Sequence, residues 1–123
     1  VFMNVFNVHV NRSPISGLAE NIVYKKGKFL NASLDKASDK NERSSLIINS
    51  ANGTKIVVVQ IAGLIARRIL GFISLNHNLV QGERFGLIRF GSRVDIYMPL
   101  NAISRCKVGD KVTAGESVLA SFQ

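Results

Sequence analysis

Leu46-Ile47-Ile48-Asn49-Ser50-Ala51-Asn52-Gly53-Thr54-Lys55-Ile56-Val57-Val58 is the stretch whose reading decides the fold class. Two short aliphatic, β-branched runs flank Asn52-Gly53, a pair that tolerates positive φ, so the stretch reads as a β-hairpin. The same grain continues outward in both directions. Short Val-, Ile- and Phe-rich segments alternate with clusters of Gly, Asn, Asp and Ser, as strands and turns require. The pattern predicts strands near 2–10, 18–25, 44–50, 54–62, 64–70, 85–90, 93–98 and 116–122. Between them, Asn31 to Arg43 carries Asp35, Lys36, Asp39, Lys40 and Glu42 and reads as a polar loop with room for one helical turn.

Towards the end, Val108-Gly109-Asp110-Lys111-Val112-Thr113-Ala114-Gly115-Glu116-Ser117-Val118-Leu119-Ala120 reads as turn, short strand, turn, strand. That pattern is shared with lipoyl- and biotin-carrier half-barrels. Carrier function is not expected, because the nearest match to a lipoyl attachment site, Asp35-Lys36-Ala37, lies in the polar loop without flanking strands. The expected fold class is all-β: a barrel or sandwich of short, mainly antiparallel strands, with a carrier-like half-barrel pattern at the C-terminal end. A single domain over 1–123 is expected, because this length suits one core and no linker, low-complexity tract or heptad interrupts it.

With 16 Lys+Arg against 8 Asp+Glu, the net charge is +8, which favours an anionic partner. The excess is concentrated before residue 92: residues 1–91 hold 12 basic and 5 acidic side chains, and 92–123 hold 4 and 3. An anionic membrane surface suits this balance better than nucleic acid, since aromatic content is 7% and no nucleic-acid recognition motif is present. The longest apolar run, Ile56 to Ile73, is broken by Gln60 and by Arg67-Arg68, so any membrane contact is expected to be peripheral. Cys106 is the only cysteine, which excludes an intramolecular disulfide and a multi-cysteine metal site; no metal is expected. The opening Val1-Phe2-Met3-Asn4-Val5-Phe6 has no signal-peptide pattern and reads like the middle of a strand, so a preceding segment is expected to be missing.

The chemistry centres on Gly82-Glu83-Arg84-Phe85-Gly86-Leu87-Ile88-Arg89-Phe90-Gly91-Ser92-Arg93. Two strand-like runs meet at a Gly-Ser step, where the Ser92 hydroxyl can attack the carbonyl of its own neighbour, Gly91, at high effective concentration. Taken alone, such a step is an ordinary turn or bulge. It is accompanied, in order along the chain, by Phe6-Asn7-Val8-His9-Val10-Asn11-Arg12, Gly27-Lys28-Phe29-Leu30-Asn31-Ala32, Asn41-Glu42-Arg43 and Gln60-Ile61-Ala62-Gly63-Leu64-Ile65-Ala66-Arg67-Arg68-Ile69.

In these blocks, running from about Phe2 to Ala120, the chain resembles the phosphatidylserine decarboxylase family. The resemblance is to the shorter-form branch, which carries Phe-Gly-Ser-Arg where longer enzymes have Leu-Gly-Ser-Thr. It implies self-cleavage at Gly91-Ser92 into 1–91 (the β chain) and 92–123 (the α chain), which stay associated. It implies that Ser92 becomes a covalent pyruvoyl cofactor, an electron sink for converting phosphatidylserine to phosphatidylethanolamine and CO2. It also implies a peripheral location on the cytoplasmic face of a bacterial-type cell membrane. A homo-oligomer is left open. His9 matches the family's first histidine, tied to the decarboxylation step, and imidazole suits general acid–base work. Longer members carry a second histidine three positions on, where this chain has Arg12, and the family's self-cleavage aspartate lies upstream of the region covered here. Arg12, Arg67, Arg68, Arg89 and Arg93 are candidates for the substrate's anionic groups, since guanidinium pairs bidentately with phosphate and carboxylate. His77 reads as a surface residue in an Asn-flanked turn. Two alternatives remain at this point: a pyruvoyl decarboxylase of a soluble amino acid, and an inactive carrier-like β module or fragment.

Overall fold

Strand periodicity is realised almost throughout the computed structural model, which describes residues 1–3, 9–28, 40–63, 69–88 and 92–122. The strands among these residues are β1 (Phe2–Met3), β2 (Val10–Arg12), β3 (Gly17–Lys25), β4 (Arg43–Asn49), β5 (Lys55–Ile61) and β6 (Ile69–Gly71). They continue with β7 (Asn78–Leu79), β8 (Arg84–Ile88), β9 (Ser92–Tyr97), β10 (Ala102–Ser104) and β11 (Ala120–Phe122). Six of them form one sheet in the order β1-β9-β5-β4-β3-β7, and β2-β8-β6 form a second, three-stranded sheet. β10 and β11 pair separately. Every strand pair described is antiparallel. The fold is all-β and mainly antiparallel, with a curled half-barrel sheet, as the sequence leads one to expect.

The β4–β5 hairpin forms where the opening stretch puts it, but its turn works differently. Only Gly53 of the central pair takes a positive φ, +85°. Asn52 acts through its side chain, accepting the Thr54 amide at 3.1 Å and the Ser50 hydroxyl. Ser50 and Gly53 close the turn backbone-to-backbone at 2.9 Å. The loop is therefore longer than a two-residue turn, with glycine supplying the left-handed step.

Other differences have local causes. β7 and β10 are too short for a period of two to show in sequence, and they exist through pairing with β3 and β11. The strand expected over 116–122 shrinks to Ala120–Phe122, because Thr113 to Ser117 wraps into a turn in which Thr113 O accepts the amides of Glu116 and Ser117 at 3.1 and 3.0 Å. Both glycine turns of the half-barrel pattern are present, with Gly109 and Gly115 at positive φ, but the short strand between them does not form. The expected strands over 2–10, 64–70 and 85–90, and the loop from Asn31 to Arg43, lie partly outside the described residues. At the inner end of that loop, Asn41 is buried and its Nδ2 donates to Ala62 O at 2.7 Å. Glu42 beside it accepts the Tyr24 hydroxyl and the Gly27 amide.

The core lies between the two larger sheets. Met3, Ala19, Leu46, Ile48, Ile56, Val58, Leu79 and Val94 line the inner face of the six-stranded sheet, and Phe85 enters from β8. The central strand β5 is buried on its other face as well, at Val59 and Ile61. This explains why it reads as a nearly continuous apolar run instead of alternating. Ile48 is fully buried in this core, so Ile48→Ala is expected to cost about 2–5 kcal/mol through lost burial and the cavity left behind. Chemical denaturation read by circular dichroism checks this, with the midpoint falling and the slope unchanged.

Candidate functional site

The site is built where β8 ends and β9 begins. Ile88, the last residue of β8, is fully buried and uses both of its backbone groups there. Its N–H donates to the His9 carbonyl at 3.2 Å, extending the β2–β8 pairing (Val10↔Leu87, Asn11↔Gly86) by one residue. Its carbonyl accepts the Ser92 hydroxyl at 3.5 Å. A single residue thus brings the two candidate catalytic positions to one corner of the fold. The Ser92 contact is at the long limit for a hydroxyl hydrogen bond, whose usual length is about 2.7–2.8 Å, so the hydroxyl is only loosely held.

Alternation along the strands sets the directions of the side chains. Ser92 is fully buried, shares its side of β9 with the core residue Val94, and pairs with Met3 of β1. It therefore faces the space between the sheets. On β2, Asn11 points the same way, since its amide reaches Gln60 on the inner face of β5. His9 lies two residues before Asn11 on that side, half-buried with Nδ1 enclosed.

Around this corner runs a buried polar chain. Gln60 Nε2 donates to Asn11 Oδ1 at 2.8 Å, and Asn11 Nδ2 donates to Met3 Sδ at 3.5 Å. The Gln60 amide occupies the space left by Gly86, where a Cβ would come within 2.4 Å of Nε2. Between Asn11 and Arg12 the β2–β8 register shifts, an irregularity that lets Phe85 and Gly86 both lie on buried positions.

The arginine candidates disperse. Arg12 pairs with Arg84 at the opposite end of β8 from Ile88, about 13 Å away at the usual rise per strand residue. Its Nη1 donates to Gly82 O at 2.8 Å, and its stem passes Gly115, where a Cβ would sit 3.1 Å from Cδ. Arg93 follows Ser92 but projects from the other face of β9, ion-paired with Asp95: Nη2 donates to Oδ2 at 3.2 Å, and Nε lies 3.0 Å from Oδ1. Arg67, Arg68 and Arg89, with Gly91 of the expected cleavage site, lie outside the described residues. His77 is exposed in its turn, 2.7 Å from Glu83. The Glu83 carboxyl is held below the usual range, chiefly by the Val80 amide it accepts and then by His77. Among the described residues, no group of His, Cys, Asp and Glu is placed to hold a metal, and no helix is long and apolar enough to cross a membrane.

A family model described as phosphatidylserine decarboxylase matches residues 1–120. The chain belongs to the phosphatidylserine decarboxylase family. No solved structure matches it. Within this decarboxylase family chain, His9 and Ser92 are the sequence candidates that the fold draws together, while Arg12 and Arg93 point elsewhere. Gln60, Asn11 and Gly86 carried no assignment from sequence. A signal was present in Gln60, the lone polar residue within the apolar run of β5.

Proposed function

We propose that this chain decarboxylates phosphatidylserine to phosphatidylethanolamine and CO2, using a pyruvoyl group made from its own Ser92. The observation that carries the reading is the meeting of His9 and Ser92 at Ile88, within a chain of this family. The residues at the corner fit such a group. Ser92 opens a strand, is shielded from water, and has a hydroxyl held by only one long described hydrogen bond, leaving it able to turn onto the preceding carbonyl. Attack of Ser92 Oγ on the Gly91 carbonyl carbon breaks the Gly91–Ser92 amide and makes an ester. β-Elimination then leaves Gly91 as a carboxylate, and residue 92 takes up water and releases ammonia. When formed, the pyruvoyl group supplies an electron sink for the bond to the departing carboxylate. His9, on the same inward side, donates the proton that replaces CO2.

Strand order supports the lasting association of the two pieces. β9, in 92–123, lies between β1 and β5, both in 1–91, and is hydrogen-bonded to each. Cutting before Ser92 leaves those ladders intact. The +8 charge supports work at an anionic membrane surface, as a peripheral protein on the cytoplasmic face where anionic lipids concentrate.

Intact-mass measurement on the protein expressed from its complete gene tests the reading. Two pieces are expected, their summed mass exceeding the unbroken chain by one water less one ammonia, and the C-terminal piece lacks a free α-amine. Release of CO2 from phosphatidylserine vesicles, and not from free serine, is expected alongside. An unbroken chain would sink the cofactor assignment, and release from free serine alone would favour a soluble amino acid as substrate.

A further inference from the structure

Gln60 and Asn11 are polar residues enclosed almost completely between two sheets, 3% and 6% exposed. Burying an amide is unfavourable unless its hydrogen bonds are made, so a position that keeps one inside an apolar strand has a use for its direction. Here the direction is fixed from both ends. Asn11 Oδ1 must face Gln60 Nε2, because it accepts there at 2.8 Å, and this leaves Nδ2 facing Met3 Sδ at 3.5 Å. The bare backbone of Gly86 gives the Gln60 amide its slot, since any Cβ there would overlap Nε2.

These contacts join the site in a closed circuit. From the Ser92 hydroxyl the path runs to Ile88 O, from Ile88 N to His9 O, and along β2 to Asn11. From Asn11 it passes through Nδ2 to Met3, which pairs with Ser92 in the β1–β9 ladder. Gln60 ties that circuit to β5, which is itself paired with β9 as Gln60↔Val94. Two sheets packed around an apolar core are thereby given a fixed register at the corner where His9 and Ser92 meet.

We propose that the Gln60–Asn11 amide pair is the positioning element of the site, holding His9, the residue before β2, at a set distance from residue 92 on β9. The inference rests on the reading of Ser92 and His9 given above. Neither amide touches the reacting atoms; Asn11 acts through β2, which continues from His9, and Gln60 through β5, which pairs with the strand that carries Ser92. A pair with this role matters for rate beyond its share of stability, because misplacement of a reacting group by about 1 Å can slow a reaction by two orders of magnitude.

The test separates geometry from stability. Gln60→Met keeps the side-chain length and strands the Asn11 acceptor. Asn11→Leu combined with Gln60→Met removes both polar groups at once, and an apolar pair of similar shape is close to neutral for folding. Each variant is followed by three measurements: thermal unfolding, the half-time of chain splitting by intact mass, and kcat and KM per split chain. The double variant is expected to recover the melting temperature that Gln60→Met loses. Both variants are expected to split about tenfold more slowly and to show kcat down about tenfold, because a positioning defect of this kind is felt in the reacting geometry. KM is expected to stay within about twofold, since substrate binding is untouched. If Gln60→Met does not fold, the double variant carries the comparison alone. Rates that recover together with the melting temperature would reduce the pair to a packing role and overturn the inference. A wild-type chain that neither splits nor releases CO2 overturns the reading of the site itself, whereas normal wild-type behaviour with unaffected variants overturns this inference only.

Discussion

Ser92→Ala is expected to leave the chain in one piece and to abolish CO2 release. The substitution deletes one atom, the Oγ proposed to attack the Gly91 carbonyl, and with it the proposed source of the cofactor. The fold survives the change. Ser92 is fully buried, but its described hydroxyl contact is a long 3.5 Å bond to Ile88 O, and the backbone pairing of β9 with β1 and β5 does not involve the side chain. The stability cost is of order 1 kcal/mol or less, as for a single weak hydrogen bond. Mass spectrometry then finds one species at the unbroken mass, and circular dichroism finds the same fold. Two species with normal CO2 release would remove Ser92 from the mechanism.

His9→Ala is expected to separate the two halves of the proposed chemistry. Chain splitting is expected to persist, while decarboxylation per split chain falls by about 10²–10⁴-fold, the usual contribution of a positioned acid or base. The geometry explains why the substitution is clean. The bond that anchors the residue preceding β2 to β8 runs from Ile88 N to the His9 carbonyl, and alanine keeps that carbonyl. The ring alone is lost. Because Gln60, Asn11 and Met3 hold the strand independently of the ring, the corner keeps its shape. Splitting lost together with decarboxylation would assign His9 to the earlier, self-cleaving step; decarboxylation unchanged would remove it from the reaction.

Much of the fold was legible because strand formation leaves a local trace. The apolar runs of β4 and β5 and the Asn52-Gly53 turn between them predict a hairpin without reference to the rest of the chain. The same reading misjudged what Asn52 does. Whether an asparagine in a turn uses its backbone freedom or its side-chain oxygen depends on the neighbours that present donors, here Thr54 and Ser50. It also overextended the last strand, because the Thr113–Ser117 turn is held by its own hydrogen bonds and not by hydrophobic pattern.

The candidate site was legible in part, through residue blocks. Those blocks singled out His9 and Ser92 but could not say which arginines stand beside them. Arg93 neighbours Ser92 in sequence and therefore projects from the opposite face of the strand, where Asp95 engages it. Arg12 is close to His9 in sequence and lies towards the far end of β8, because antiparallel pairing carries β2 away from Ile88.

The sequence by itself determined the all-β class, the hairpin at its centre and the Gly91-Ser92 step at which self-cleavage is proposed, since each of these is a property of adjacent residues. Only the tertiary structure decided that His9 and Ser92 meet at Ile88, and that Gln60 and Asn11 join across the gap between sheets. The reason is physical. A period of two says which side of its own strand a residue occupies, but not which strand will lie opposite. That second choice follows from a non-sequential order, β1-β9-β5-β4-β3-β7, and from a register shift between Asn11 and Arg12, both set by packing the whole core at once.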